Sequence, residues 1–376
     1  MSRTVKILDH REEHSPLKPI ALEPLPERPL VSILISNYNY AAYLNDAIDS
    51  SLQQTYDRFE VVICDDGSTD ASPRILQQYQ LLDPRIRVLL QPNGGQSLAL
   101  NAAFGESKGE IICLLDADDV FMPDKLRRLV SAFAAAPEAG LAVNRMLIVD
   151  GARKRLGEIP FLHELPSGWQ GSSLRLGAPH FLPAIPPCSG LSLRRSVAEA
   201  IFPLPSDLKA CSDGVIQILA PMITSIVAIE VPSSEYRIHE ANIAAVSAFS
   251  ENQLRKLDSW HRHIWSAWRQ FLVGSARCAP QDCPYPPETA PSPMTYAYAR
   301  FRCDPHAKSI YRAVPNDYFR SLPKWYQWFW RASAWMPGWL FRRSFTFLYG
   351  QPRARVAMGQ MLRAYRNSLR KSVEVR

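Results

Sequence analysis

Three apolar runs in the first 120 residues each end in a polar cluster, and this repetition constrains the fold more than any other feature of the chain. The sharpest is Ile111-Ile112-Cys113-Leu114-Leu115, followed by Asp116, Ala117, Asp118 and Asp119. Five consecutive apolar residues mark a buried strand. Carboxylates crowded at its end repel one another unless a cation offsets them, and hard oxygen ligands suit Mg2+ or Mn2+. Phe59 to Cys64 repeats the design and runs into Asp65, Asp66, Gly67, Ser68, Thr69 and Asp70. Leu30 to Ser36 runs into Asn37-Tyr38-Asn39-Tyr40. Helical spacing separates the runs, with Tyr43, Leu44, Ala47, Ile48 and Leu52 on one face, then Ile75, Leu76, Tyr79 and Leu82 on the next. Alternating strands and helices predict a parallel sheet with right-handed crossovers. The three polar strand ends then open onto one edge, where such sheets bind ligands. The plainer reading of any single cluster is an acidic turn capping the next helix.

Four segments occur in order over about ninety residues: Val31 to Asn39, Val62 to Asp70, Asn93 to Asn101, and Leu115 to Asp119. Together they resemble the family 2 glycosyltransferases, and the resemblance covers about residues 30–245. It implies an α/β chain with the GT-A nucleotide-diphospho-sugar transferase fold, a mainly parallel sheet flanked by helices, with a helical C-terminal extension. The expected divisions are an extended leader over 1–29, a nucleotide-binding half over 30–150, an acceptor half over 151–245, and a basic, Trp-rich helical region over 246–376. The implied activity is metal-dependent, inverting transfer of one sugar from a nucleotide-diphosphate sugar, most often a UDP-sugar, to a saccharide or lipid-linked acceptor. Cell-surface polysaccharide or glycoconjugate synthesis is the expected setting. The Gln-x-x-Arg-Trp motif of processive synthases is absent from the sequence, which favours single addition.

The resemblance also implies site residues. Asp66 reads the base, with Asp65 as its rival, and a carboxylate can accept a uracil N–H or a ribose hydroxyl. Either acid could instead cap the turn. Ser36 and Asn39 at the first strand end reach the same base or simply form the turn. Asn93-Gly94-Gly95 precedes a helix whose entrance offers N–H groups to a diphosphate, with Asn101 further along. Family members usually carry Arg where this chain has Leu100. Asp118 is the expected metal ligand, Asp116 faces the ribose or a metal-bound water, and Asp119 stands behind them or caps a helix. Asp116 and Asp118 share a face if the segment is extended. Asp213 is the expected general base, with Ser212 where the family usually has Glu, and Asp207 as the runner-up. Arg237 and His239, in Tyr236-Arg237-Ile238-His239, serve the diphosphate, His239 as a possible metal ligand, or are structural. Arg194 and Arg195 meet an anionic acceptor or are solvated.

No apolar run reaches the roughly 18–20 residues of a membrane span, and residues 1–28 lack the apolar core of a signal peptide. Seven scattered cysteines give no disulfide framework or zinc spacing, though Cys278 and Cys283 could pair, and point to a reducing cytoplasm. The charge is uneven. Residues 300–376 hold 16 Lys and Arg against Asp304, Asp317 and Glu374, within a chain of net charge +7. Five of the nine tryptophans lie between Lys324 and Tyr349. Such a segment either binds the inner face of a membrane or packs as a helical appendage or dimer contact. It carries no nucleic-acid motif.

Two other functions compete. A phosphatase or nucleotidyltransferase would also use acidic strand ends. The former needs an Asp nucleophile two residues before a second Asp, and the latter a Gly-rich basic loop after the first strand. Neither pattern is present. A non-catalytic nucleotide-sugar binder or scaffold of the same fold remains open because of Leu100 and Ser212.

Overall fold

The computed structural model describes residues 18–159, 164–170, 185–239, 242, 250–274, 291, 293–314 and 324–349. Most of the expected leader, part of the acceptor half, the Cys278/Cys283 pair and residues 350–376 lie outside the described residues.

The expected alternation is present. β1 (Val31–Asn37), α1 (Ala41–Leu52), β2 (Phe59–Asp65), α2 (Ser72–Leu82), β3 (Ile86–Leu90), α3 (Gln96–Glu106) and β4 (Ile111–Asp116) follow one another. Then come β5 (Val120–Phe121), α4 (Lys125–Ala135), β6 (Ala139–Asp150) and β7 (Arg155–Ile159). β8 (Leu191–Arg194), α5 (Arg195–Ile201), α6 (Asp213–Leu219) and β9 (Ser225–Ile238) complete the sheet region. Five helices of the C-terminal region follow among the described residues: α7 (Glu251–Gly274), α8 (Pro293–Phe301), α9 (Ala307–Ala313), α10 (Lys324–Ser333) and α11 (Gly338–Tyr349).

The nine strands form one sheet in the order β3-β2-β1-β4-β8-β6-β9-β5, with β7 beside β6. The first four pair in parallel, as the crossovers require. β8 then enters antiparallel between β4 and β6, so the sheet as a whole is mixed. β6 runs as one strand through the polar Asn144-Arg145 step, because a bulge between Asn144 and Met146 carries the pairing with β9 past it.

The apolar runs are unbroken because β1, β2 and β4 are covered on both faces. Leu34, Val62, Ile112 and Leu114 point into one core, with Ala99, Leu100 and Ala103 of α3. Their neighbours Ile33, Ile35, Val61, Ile63 and Leu115 point into the other, with Leu44, Ile48, Leu76 and Leu129. The first core does not stop at the sheet. It continues through Ile216 and Leu219 of α6 to Leu254, Ile264 and Trp268 of α7, then to Tyr296, Trp330, Phe341 and Phe345. Each of these large side chains contributes roughly 1.5–3 kcal/mol by leaving water. The C-terminal helices therefore share a core with the helix that begins at Asp213.

Candidate functional site

The sheet register sets the expected strand ends side by side. Asn37 pairs with Asp65, and Ser36 lies between Cys64 and Asp116. Asp116 ends β4, and a turn closed by the Asp119 N–H on the Asp116 carbonyl (3.0 Å) leads into β5. This turn, rather than an extended alternation, brings Asp116, Asp118 and Asp119 together, with a potential ligand atom of each within 4.8 Å of the others.

Each of the three acids meets a different element. Asp116 Oδ1 accepts from Gln96 Nε2 at 3.1 Å, and its backbone N–H donates to Ser189 Oγ at 3.0 Å. Burial, then the charges of Asp118 and Asp213, push the Asp116 carboxyl up to about 8. Asp118 Oδ2 lies 3.0 Å from His239 Nε2 and accepts from Asn242 Nδ2 at 3.1 Å. Asp119 is buried; its Oδ1 accepts the Arg237 N–H at 3.0 Å, while Oδ2 has no hydrogen-bond partner among the described residues. Burial and the adjacent Asp118 and Asp116 raise the Asp119 pKa well above the usual carboxylate range. A buried carboxylate oxygen without a donor, beside two more carboxylates, fits a hard divalent cation.

The end of β9 crosses this turn because Val120 of β5 pairs with Glu235. The His239 ring stacks on Tyr43 with centroids 4.3 Å apart, and Tyr40 meets it edge-on at 5.9 Å. Burial and the nearby acids, Asp118 first, raise the Tyr40 phenol. Arg237 is placed differently. Its guanidinium lies over the Tyr43 ring and donates to Asp46 at 2.6 Å, so only its backbone N–H reaches the acidic turn.

Asp65 and Asp66 are held by the chain's own donors. Asp65 accepts from Asn37 Nδ2 and Ser68 Oγ, both at 2.6 Å, and from the Ser68 N–H at 3.0 Å. Asp66 accepts the Gly94 and Gly95 N–H groups at 2.9 and 2.6 Å and Gln91 Nε2 at 2.6 Å. The glycine amides expected at a diphosphate thus point at Asp66. Gly95 has φ +98°, and an added Cβ would lie 2.7 Å from Lys209 Cα, so only glycine fits this approach. Asn93 is exposed in the same turn. Asn39, at φ 58°, accepts the Thr69 N–H at 2.8 Å and stitches the first two strand ends together. Asn101 is spent on a two-way bond with the Leu204 backbone, at 2.8 and 2.7 Å. Leu100, where the resemblance leads one to expect arginine, is fully buried. A polar contact to Asp116 comes instead from Gln96, one turn earlier on α3.

Asp213 is the first residue of α6. Its Oδ2 accepts the Cys188 N–H at 3.2 Å, and burial pushes its pKa up to about 6. Its charge is one of those that raise Asp116, so the two carboxyls lie close enough to repel each other. Asp207 is largely exposed and meets His263 Nε2 at 3.1 Å. Arg194 is buried, donating to Pro137 and Glu23 carbonyls, and Arg195 donates to Gly109 O at 2.6 Å and lies over Phe104.

Several contributors carry no sequence signal. Lys125, at the start of α4, is almost fully buried. Its Nζ donates to Asn144 Oδ1 (2.7 Å), Ser189 O (2.9 Å) and Ser234 Oγ (3.1 Å). Gln96, Ser189 and Asn242 acquire their places only through tertiary contact. Tyr40 and Tyr43 follow the first strand end directly, and that adjacency was the only available hint.

Comparison with known proteins places the chain in context. The family model described as glycosyl transferase family 2 matches residues 32–202. An uncharacterized glycosyltransferase of Nostoc sp. is 38% identical over 230 residues, 60% of this chain and 70% of that protein. A chondroitin synthase of Pasteurella multocida is 39% identical over 134 residues, 35% of this chain but 14% of that protein. The structure of S. aureus TarS 1-349 in complex with UDP-GlcNAc superposes with a TM-score of 0.50 at 16% identity, covering 85% of this chain and 92% of that one. That likeness speaks to the fold.

Proposed function

The chain belongs to glycosyltransferase family 2 and has a GT-A fold, and from that premise we propose that it transfers a single sugar from a nucleotide-diphosphate sugar to an acceptor hydroxyl with inversion at the anomeric carbon. The observation that carries this reading is the closed acidic turn, three carboxylates within 4.8 Å, linked through Gln96 to the start of the helix that bears the raised carboxyl of Asp213.

On this reading Asp213 takes the proton of the acceptor hydroxyl as its oxygen attacks the anomeric carbon. The bond to the nucleoside diphosphate breaks on the opposite face. A pKa near 6 leaves Asp213 ionised at neutral pH yet more basic than a free carboxylate. Asp118, with Asp116 and His239, would hold Mn2+ or Mg2+, which when bound supplies charge neutralisation for the diphosphate. Asp119, anchored behind them by the Arg237 N–H on Oδ1, would offer its other oxygen to that set. Asp66 and Asp65, with Ser36, Asn39 and Asn93, form the wall for base and ribose. Gly95 and Asn101 shape that wall through Asp66 and Leu204. Arg237 reaches the diphosphate only by leaving Asp46. The donor we propose is a UDP-sugar, and the acceptor a saccharide or lipid-linked hydroxyl in polysaccharide or glycoconjugate synthesis. We take residues 30–245 to carry the chemistry and 246–376 to support it.

The Trp-rich segment supports a membrane-surface role by its exposed half. Trp330, Phe341 and Phe345 pack inward, whereas Trp328, Trp335 and Trp339 are 63–81% exposed beside Arg331, Arg342 and Arg343. No helix among the described residues is long and apolar enough to cross a membrane. Flotation with anionic vesicles tests this role, and equal recovery of the Trp328→Ala, Trp335→Ala, Trp339→Ala triple variant overturns it.

The deciding experiment is a panel of UDP-, GDP- and dTDP-sugars tested with Mn2+ for binding and for transfer. Asp213→Asn should keep nucleotide binding and lose transfer. Binding without transfer by the wild type would favour a scaffold.

A further inference from the structure

We propose that Gln96 is a positioning residue that joins the two carboxylate sides of the site, fixing Asp213 relative to Asp116. This rests on the function just proposed. Gln96 opens α3, and its side chain uses both ends of the amide. Nε2 donates to Asp116 Oδ1 at 3.1 Å, and Oε1 accepts the Ser212 N–H at 3.0 Å. Ser212 immediately precedes Asp213 at the start of α6. An amide side chain is suited to donating to a carboxylate while accepting from a backbone N–H. Asparagine, one methylene shorter, would lose reach.

The contacts around this bridge strengthen it. The Gln96 N–H donates to Lys209 O at 3.0 Å, and Ser97 Oγ lies 2.8 Å from Ser212 Oγ with both residues fully buried. A second route joins the same carboxylates from behind. The Asp116 N–H donates to Ser189 Oγ, and the Cys188 N–H donates to Asp213 Oδ2 at 3.2 Å. Asp116 and Asp213 are thus held in a ring that closes through the Gln96 side chain, half-buried like the two carboxylates it joins. Transfer requires the base and the donor to be aligned closely, and misplacement of about 1 Å costs roughly 100-fold in rate. Loss of the bridge should therefore fall mainly on kcat, because Asp65 and Asp66 are held by donors other than Gln96 and Asp116 keeps its backbone bond to Ser189.

The test compares wild type, Gln96→Met and Gln96→Glu as full-length protein with Mn2+ and whichever nucleotide sugar binds. Gln96→Met keeps the length and removes both arms. Gln96→Glu keeps the acceptor for Ser212 but repels Asp116, and stands in if the methionine variant fails to fold. Expected for Gln96→Met is a kcat lowered about 10- to 100-fold with donor KM within about threefold. It should add nothing to the loss caused by Asp213→Asn. Hydrogen exchange at the Ser212 amide should quicken by about five- to tenfold, with Gly94 and Gly95 unchanged. A kcat within twofold of wild type, a loss confined to donor KM, or full additivity with Asp213→Asn would overturn the inference. If the wild type transfers nothing from any donor, the functional reading fails instead. Exchange alone then judges the bridge, and unchanged Ser212 protection in Gln96→Met overturns it.

Discussion

The Trp260 indole N–H donates to the Cys211 carbonyl at 2.9 Å, tying the long C-terminal helix α7 to the residue two before Asp213. Cys211 sits at φ 55°, a left-handed conformation unfavourable for a residue with a side chain. Gly214, just past Asp213, leaves no room on the same side: an added Cβ would lie 2.6 Å from both Trp260 Cζ2 and Ile264 Cδ1. Trp260→Phe keeps most of the packing and removes the donor. It should cost about 1–2 kcal/mol of stability and lower kcat more than donor affinity. Gly214→Ala should cost about 1–3 kcal/mol by overpacking. Thermal unfolding read beside steady-state kinetics checks both, and unchanged kcat in Trp260→Phe would separate α7 from the chemistry.

Lys125→Met tests the buried ammonium beneath the acidic turn. The substitution preserves length but leaves Asn144 Oδ1 and Ser189 O without that donor. Burial lowers the lysine pKa, so the charge is held at a cost that its acceptors, the Phe121 ring beneath it and the nearby Asp119 offset. The expected loss is roughly 3 kcal/mol, with Mn2+ affinity reduced because Ser189 also holds the Asp116 backbone. Denaturant titration measures the first and calorimetry the second.

What the sequence disclosed, and what it withheld, divides along the range of the interactions. β1, β2 and β4 were legible because their residues alternate between two cores, which leaves a continuous apolar run. The clustering of Asp116, Asp118 and Asp119 was legible too, although a turn rather than an extended face produces it. The short β8 was not, because four residues have no usable period and its place beside β4 depends on pairing Ile111 with Arg194. The single long β6 was hidden by Asn144-Arg145, a polar step the strand tolerates because the Asn144 side chain meets Lys125 and Ser234. Gln96 was hidden for the same reason: its partners are 20 and 116 residues away. The tail's tryptophans could be counted but not sorted, since only packing separates buried Trp330 from exposed Trp328.

Cation binding should depend on pH through Asp116. Its carboxyl, pushed up to about 8, holds a proton at neutral pH that a divalent ion must displace. Mn2+ affinity should therefore rise with pH between about 6 and 8, by up to roughly tenfold per unit, and binding should release protons. Calorimetry in buffers of different ionisation enthalpy measures that release. Affinity flat across this range would remove Asp116 from the ligand set.

Asp213 makes two predictions of opposite sign from one cause. Burial raises its pKa to about 6, so the folded chain binds its proton more tightly than the unfolded chain, where a carboxyl titrates near ~3.9. Stability should fall as pH rises from about 4 to 6 and stay lowered above that range. Asp213→Asn removes the charge, so it should stabilise the protein at neutral pH by about 1–3 kcal/mol. Turnover runs the other way, because the base acts only when deprotonated. Wild-type kcat should climb about tenfold per pH unit up to roughly pH 6 and then level off. In Asp213→Asn that limb should vanish, with turnover reduced about 100- to 10,000-fold. A variant that unfolds at a higher temperature yet transfers no sugar would mark Asp213 as a residue held at the expense of stability for its chemistry. A less stable but still active variant would make it a helix cap.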